Sequence, residues 1–211
     1  MKPLVIIGGG GFAKEIICLA RDCGREVKGI LDDNPDAQGE CLLGVPIKGN
    51  VADWVNYKEC EFIIAIGSPR VRAKVLSKMK SYGSPSFTKL IHPRVIISEY
   101  VFVSEGCVIC AGSILTADIK LGAHCILNLN VTVGHESEFG DFVTVAPMVA
   151  VSGNVHLEDC VEIGTGAVVR QGLRLNKGAM LGMGGVLTKD IPANTIFAGN
   201  PAKKLKELPE I

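Results

Sequence analysis

Aromatic residues are few in this 211-residue chain: one Trp, three Tyr and seven Phe, 5% in all, so its core must be built from aliphatic side chains. Histidine is scarcer still, with four. An excess of either charge is also missing, since 22 basic and 22 acidic side chains cancel. Splitting the chain at Thr88 leaves 12 basic against 10 acidic residues before it and 10 against 12 after it. Neither half is a polycation, which argues against nucleic acid or an anionic membrane as partner. No apolar run approaches the roughly 20 residues of a membrane span, and the stretch from Met1 to Ile7 runs into four glycines too soon to serve as a secretion signal. A cytoplasmic protein with reduced thiols is expected.

What the chain does have is a period. Aliphatic or Phe residues recur at every sixth position from Ile91 to Leu187, through Leu115, Leu127, Phe139, Val151, Ile163 and Leu175 among seventeen in register. Six fits neither a 3.6-residue helix nor two-residue alternation, and self-similarity at a fixed period is the mark of a solenoid. Two residues before these positions the side chains are small or β-branched, as at Cys107, Ser113, Cys125, Val131, Ser137 and Val143, and these are expected to point inward as well. Glycines following the repeat positions suit sharp corners. Three six-residue rungs per turn describe a triangular prism whose coils bury their apolar side only by stacking, at roughly 1.5–3 kcal/mol per large aliphatic. The expected organisation is a small α/β domain over residues 1–88 and a β-helix over 89–211.

Eight cysteines, with Cys107 and Cys110 three apart, have a ligand-like spacing. The register assigns them to packing instead: Cys107 and Cys125 are 18 residues apart and occupy one inward position on successive coils, and no second such pair completes a zinc site. His124, His135 and His156 fall at three different places in the register, so they do not converge on a metal by stacking.

Before the repeat, apolar runs alternate strand with helix: Leu4–Ile7, a helix over Phe12–Cys23, a strand over Val27–Leu31, another over Phe62–Ile66, and a helix near Val71–Met79. This predicts a Rossmann-like unit with a parallel sheet. Its first strand ends in Gly8, Gly10, Gly11 and Ala13, a glycine turn that brings backbone N–H groups and a helix N-terminus onto phosphates. Asp32 and Asp33 end the second strand, where a carboxylate reaches a ribose or base, and Gly67 closes the third at the same carboxyl edge. The turn alone leaves open a bare structural turn, a dinucleotide cofactor and a nucleotide-linked sugar.

Of the histidines, His92 stands before Pro93 where the repeat begins, and His124 and His156 take outer positions that suit surface or structural roles. His135 differs, since it follows Gly134 at a corner with Glu136 beside it and no apolar context.

Together, the stretches Asn130–Glu136, Gly140–Phe142, Gly164–Val169, Lys189–Pro192 and Gly199–Lys203 resemble the bacterial sugar O-acyltransferases of the sialic-acid O-acetyltransferase type, most nearly N-acetyltransferases of UDP-linked 4-amino sugars. The resemblance spans essentially the whole chain. It implies a left-handed parallel β-helix, a homotrimer, and acetyl-CoA lying along the prism between subunits, with no metal. His135 would be the general base, Glu136 its orienting partner, and Gly153, Thr165 and Met183 the contacts to CoA. The acceptor, a nucleotide sugar with UDP as the expected nucleotide, would be held through Gly8, Gly10, Gly11, Asp32, Asp33 and Gly67. The chain departs from the pattern at Thr144, where relatives often place a second histidine, at Phe12-Ala13 in the glycine turn, and at Ser68-Pro69. O-acetylation of sialic acid, an NAD-dependent oxidoreductase and a non-catalytic trimeric scaffold are the competing readings. Lys203, Lys204 and Lys206 near the C-terminus either attract CoA phosphates or lie on a solvated terminal helix.

Overall fold

The computed structural model describes residues 1–211. The first unit contains β1 (Leu4–Ile7), α1 (Gly11–Asp22), β2 (Val27–Leu31), a short hairpin of β3 (Cys41–Leu42) and β4 (Val45–Pro46), β5 (Glu61–Ile64) and α2 (Pro69–Lys80). The three long strands form a parallel sheet in the order β2-β1-β5. All four residues of β1 are buried because both faces are covered. Leu4 and Ile6 pack with Ile16, Ile17 and Ala20 of α1, whereas Val5 and Ile7 pack with Trp54, Leu76 and Met79. The third strand is shorter than the sequence suggests. It ends at Ile64, and the carbonyls of Ile66 and Gly67 are taken instead by the Arg72 side chain.

From Leu90 onward the chain is a left-handed solenoid whose rungs carry strands of two or three residues. Each strand pairs in parallel with the one eighteen residues on, as Leu115 does with Val133 and Ile126 with Thr144, which generates three sheets. The repeat positions from Val103 to Leu187 point into one apolar core, and Cys107, Cys125, Val131 and Val143 fill the space between them, all fully buried. Ile97 is the exception: it is 36% exposed, because it belongs to the first strand of its sheet and has no coil beneath it.

The corners are less dependent on glycine than the sequence implied. Every sixth residue from 106 to 184 has positive φ, fourteen in all, yet eight of these are Asp118, His124, Asn130, Glu136, Phe142, Met148, Asn154 and Cys160, at φ between 53° and 62°. This conformation costs a side-chain-bearing residue roughly 1–2 kcal/mol. It is offset where the corner amide bonds to the coil below, as Glu136 N–H does to Ala117 O at 3.0 Å and Phe142 N–H to Ala123 O at 2.8 Å. The C-terminal stretch is not a helix: Ala202–Glu207 is a strand antiparallel to Thr195–Gly199, and Lys204 pairs with Glu207 at 2.7 Å.

The prism's three faces differ in their outward residues. On the docking face, Leu90, Val108 and Ile126 are buried against α1, which seats the α/β unit. The ladder face carries Lys120, Glu138, His156 and Arg174 on successive strands, and Lys120 bonds Glu138 at 2.9 Å. The apolar face presents Ile96, Ile114, Thr132, Ala150, Val168 and Val186, with Ile96 66% exposed. No helix is long and apolar enough to cross a membrane.

Candidate active site

The His135–Glu136 corner joins the apolar-face strand Thr132–Val133 to the ladder-face strand Glu138–Phe139. Nothing covers this corner, so both side chains are exposed, and His135 Nδ1 lies 2.9 Å from a Glu136 carboxylate oxygen. With Nδ1–H donating to that carboxylate, the lone pair of Nε2 faces outward, the tautomer a general base requires. One coil on, Gly153 lies over the ring: a Cβ there would stand 2.6 Å from His135 Nε2. The absent side chain is what leaves the imidazole accessible. Beneath it, Gly134 is equally constrained, since its own Cβ would stand 2.5 Å from the Gly153 nitrogen.

The Gly153 N–H has no backbone acceptor, nor do those of Thr165 and Met183, and free amides beside a nucleophile's path are what an oxyanion or a pantetheine chain needs. These three do not meet within one chain. Gly153 shares the edge of His135, whereas Thr165 and Met183 stack above Pro147 on the edge between the docking and apolar faces. The apolar face separates the two edges.

In the α/β unit, Gly8 has φ of 98° and packs against Ile66. Gly10 caps α1 with no side-chain bond, and Gly11 opens the helix into free space, so uncapped amides and the positive end of the helix dipole face outward. Asp32 accepts from the Gly9 N–H within the turn and from the Asn34 N–H at 2.7 Å. Gly8, Gly10, Gly11, Asp32 and Gly67 therefore gather at the carboxyl edge of the sheet. Asp33 turns away from it: its carboxylate bonds Lys78 at 2.6 Å and the Val51 N–H at 3.0 Å, joining α2 to the segment that follows the hairpin. A cleft of about 420 Å³ between α1 and the solenoid, lined by Cys18, Leu43, Leu129 and Pro147 among others, connects this unit with the edge that carries Thr165.

Three residues here carry no signal in the sequence. His124, at an outer position of the coil, is 1% exposed because the α/β unit covers it. Its ring stacks on Phe142 at 5.3 Å and meets Phe87 edge-on at 4.6 Å, continuing a row of rings from Trp54 through Phe62. Burial, with Arg72 and Lys80 nearby, pulls its pKa down to about 4. Arg72 is 1% exposed, and Thr144 bonds both Arg72 and the Gly67 carbonyl. An arginine on an amphipathic helix reads as solvated, and a threonine at an outer rung position as exposed, so only the docking of the two units brings them together. All eight cysteines are free, and burial pushes Cys110 up to about 12. No three His, Cys, Asp or Glu side chains converge as a metal site.

Residues 3–79 match the PglD N-terminal domain family. GDP-perosamine N-acetyltransferase of Escherichia coli O157:H7 is 28% identical over 97% of this chain and 96% of that protein. A mutant of perosamine N-acetyltransferase from Caulobacter crescentus, solved with CoA and GDP-perosamine, superposes with a TM-score of 0.91 at 31% identity over 98% of both chains. The chain belongs to the hexapeptide-repeat sugar acetyltransferases. The acetyltransferase domain of PglB from Neisseria gonorrhoeae FA1090, in complex with acetyl coenzyme A, superposes at 0.88 with 31% identity over 97% of this chain and 99% of that one. A sugar acetyltransferase is an acyltransferase, so the oxidoreductase and scaffold readings give way.

Proposed function

We propose that the protein transfers the acetyl group of acetyl-CoA to the amine of a nucleotide-linked amino sugar, by direct attack with His135 as general base. One observation carries this reading: the oriented His135–Glu136 pair with the unpaired Gly153 N–H on the adjoining coil of the same edge. As the amine attacks the thioester carbonyl, Nε2 of His135 takes its proton, an assistance typically worth roughly 10²–10⁴-fold. Glu136 holds Nδ1–H and stabilises the imidazolium that forms. The Gly153 N–H receives the tetrahedral oxyanion, an interaction of about 3–4 kcal/mol in other acyl-transfer enzymes. Collapse breaks the carbon–sulfur bond, and His135 returns the proton to the departing thiolate. No acyl-enzyme forms, so no cysteine acts as nucleophile.

The acceptor's diphosphate fits the uncapped N-terminus of α1 at Gly10 and Gly11, with Asp32 beside it for ribose or base. The similarity to GDP-perosamine N-acetyltransferases puts a GDP-linked 4-amino sugar ahead of the UDP-linked one that the sequence suggested. The assembly is a homotrimer. Its apolar faces, exposing Ile96, Ile114 and Val168, pack around the threefold axis, and the His135–Gly153 edge of one copy meets the Thr165–Met183 edge of the next. CoA lies in that groove.

The test is thiol release from acetyl-CoA with GDP- and UDP-linked 4-amino sugars and free sialic acid, comparing wild type with His135→Ala. Turnover with a nucleotide-linked amine, lost in the variant, is the expected result. Turnover with sialic acid alone would move the reaction to a hydroxyl acceptor.

A further inference from the structure

Arg72 crosses the junction between the two units with all five of its N–H donors engaged. Nε donates to His124 O at 3.0 Å; Nη1 donates to Ile66 O at 2.6 Å and Gly67 O at 3.0 Å; Nη2 donates to Phe142 O at 2.7 Å and to Thr144 Oγ1 at 2.9 Å, with Val143 O further off at 3.4 Å. The Thr144 hydroxyl in turn donates to Gly67 O at 2.8 Å. The guanidinium is thus buried with no carboxylate paired to it. A charge in that position is a poor way to gain stability, because apolar packing of equal volume commonly does as well or better. What it supplies that apolar packing cannot is direction: one rigid fork holds the chain just past β5 against two successive coils of the solenoid.

The segment it holds matters because Ile66 is also the residue against which Gly8 packs, so the height of Ile66–Gly67 sets the height of the glycine turn. We propose that Arg72 and Thr144 are positioning residues for acetyl transfer, fixing the nucleotide-binding edge on the solenoid so that the sugar amine arrives in register with the general base His135. This rests on the functional reading above. It also gives Thr144 a specific job: its hydroxyl ties the acceptor edge to the coil.

The experiment compares Thr144→Val, Arg72→Lys and Arg72→Met with wild type in four measurements: thermal unfolding, the Kd for GDP and UDP, the KM for acetyl-CoA, and kcat with the nucleotide-linked amino sugar. Thr144→Val is expected to lower kcat about tenfold, the weight of one hydrogen bond. Arg72→Lys, which keeps the charge and loses the fork, is expected to lower it on the order of 10²-fold, as a misplaced substrate does. Nucleotide Kd and acetyl-CoA KM should stay within about twofold, a split that a general loss of structure does not produce. Should Arg72→Met fail to fold, Thr144→Val, which exchanges a hydroxyl for a methyl group, still decides the matter. A folded Thr144→Val with unchanged kcat, or a loss of kcat matched by an equal loss of nucleotide binding, overturns the proposal alone. A wild type that acetylates no nucleotide sugar overturns the functional reading and the proposal with it.

Discussion

His124 makes the stability of this protein depend on pH between neutrality and about pH 4. Its ring lies between Phe142 and Phe87, its Nδ1 has no partner, and the Arg72 and Lys80 charges oppose a proton on it. In the folded chain the pKa is held down to about 4, against 6.5 for an ordinary histidine. The unfolded chain therefore binds a proton that the folded chain refuses as the pH falls through this interval. The stabilisation is fully present above the unfolded value, declines on acidification, and is exhausted below about 4. The whole effect amounts to roughly 3 kcal/mol, most of which is gone near pH 4.5. Urea unfolding at fixed protein concentration, at about pH 7.5 and 4.5, measures it when wild type is set against His124→Phe, which keeps an aromatic ring in the stack but cannot titrate. Carboxylate contributions cancel in that difference. The variant should lose roughly 2–3 kcal/mol less than wild type over the interval; parallel pH profiles would refute the reasoning.

Three further outcomes follow from particular contacts. Gly153→Ala places a Cβ where only 2.6 Å separates it from His135 Nε2, so turnover should collapse while the thermal midpoint moves little; a variant as active as wild type would detach Gly153 from the chemistry. Ile163→Ala empties a fully buried core position and should cost roughly 2–5 kcal/mol by urea midpoint, a loss that a solenoid with slack between its coils would not show. Asp32→Ala should weaken nucleotide binding measured by calorimetry, whereas Asp33→Ala should leave the Kd alone and lower stability by about 1 kcal/mol, since its half-exposed bridge to Lys78 is screened by solvent.

What the sequence disclosed and what it withheld divide along a physical line. Inward positions such as Leu127 and Cys107 could be read directly, because a coil has only one interior and the period of six identifies it. The glycine turn could be read as well, because its conformation is local. Outward positions have no such rule. Ile126, Thr132 and Glu138 occupy equivalent places on consecutive rungs, yet one is buried under α1, one faces outward beside other apolar side chains, and one bonds a lysine. The burial of His124 and Arg72, the turning away of Asp33, and the separation of Thr165 from Gly153 all depend on which face a residue belongs to and what covers that face. The C-terminal lysines lie on a strand because Thr195–Gly199 offers its edge for pairing, a tertiary cause that a short polar stretch does not reveal.

The solenoid therefore counts in two moduli at once. Its interior repeats after six residues, but its outer surface repeats only after eighteen, since the strand that stacks on Leu115 begins with Thr132 and not with Ile126. Inserting six residues between Leu127 and Val131 would leave every downstream aliphatic pointing inward and the core intact. It would also turn every later residue by one face, moving His135 to an edge that borders a different neighbour. Inserting eighteen would lengthen the prism by one coil and return each residue to its own face. In such a protein, an indel can be silent to the fold and lethal to the activity, and the remainder on division by eighteen tells which.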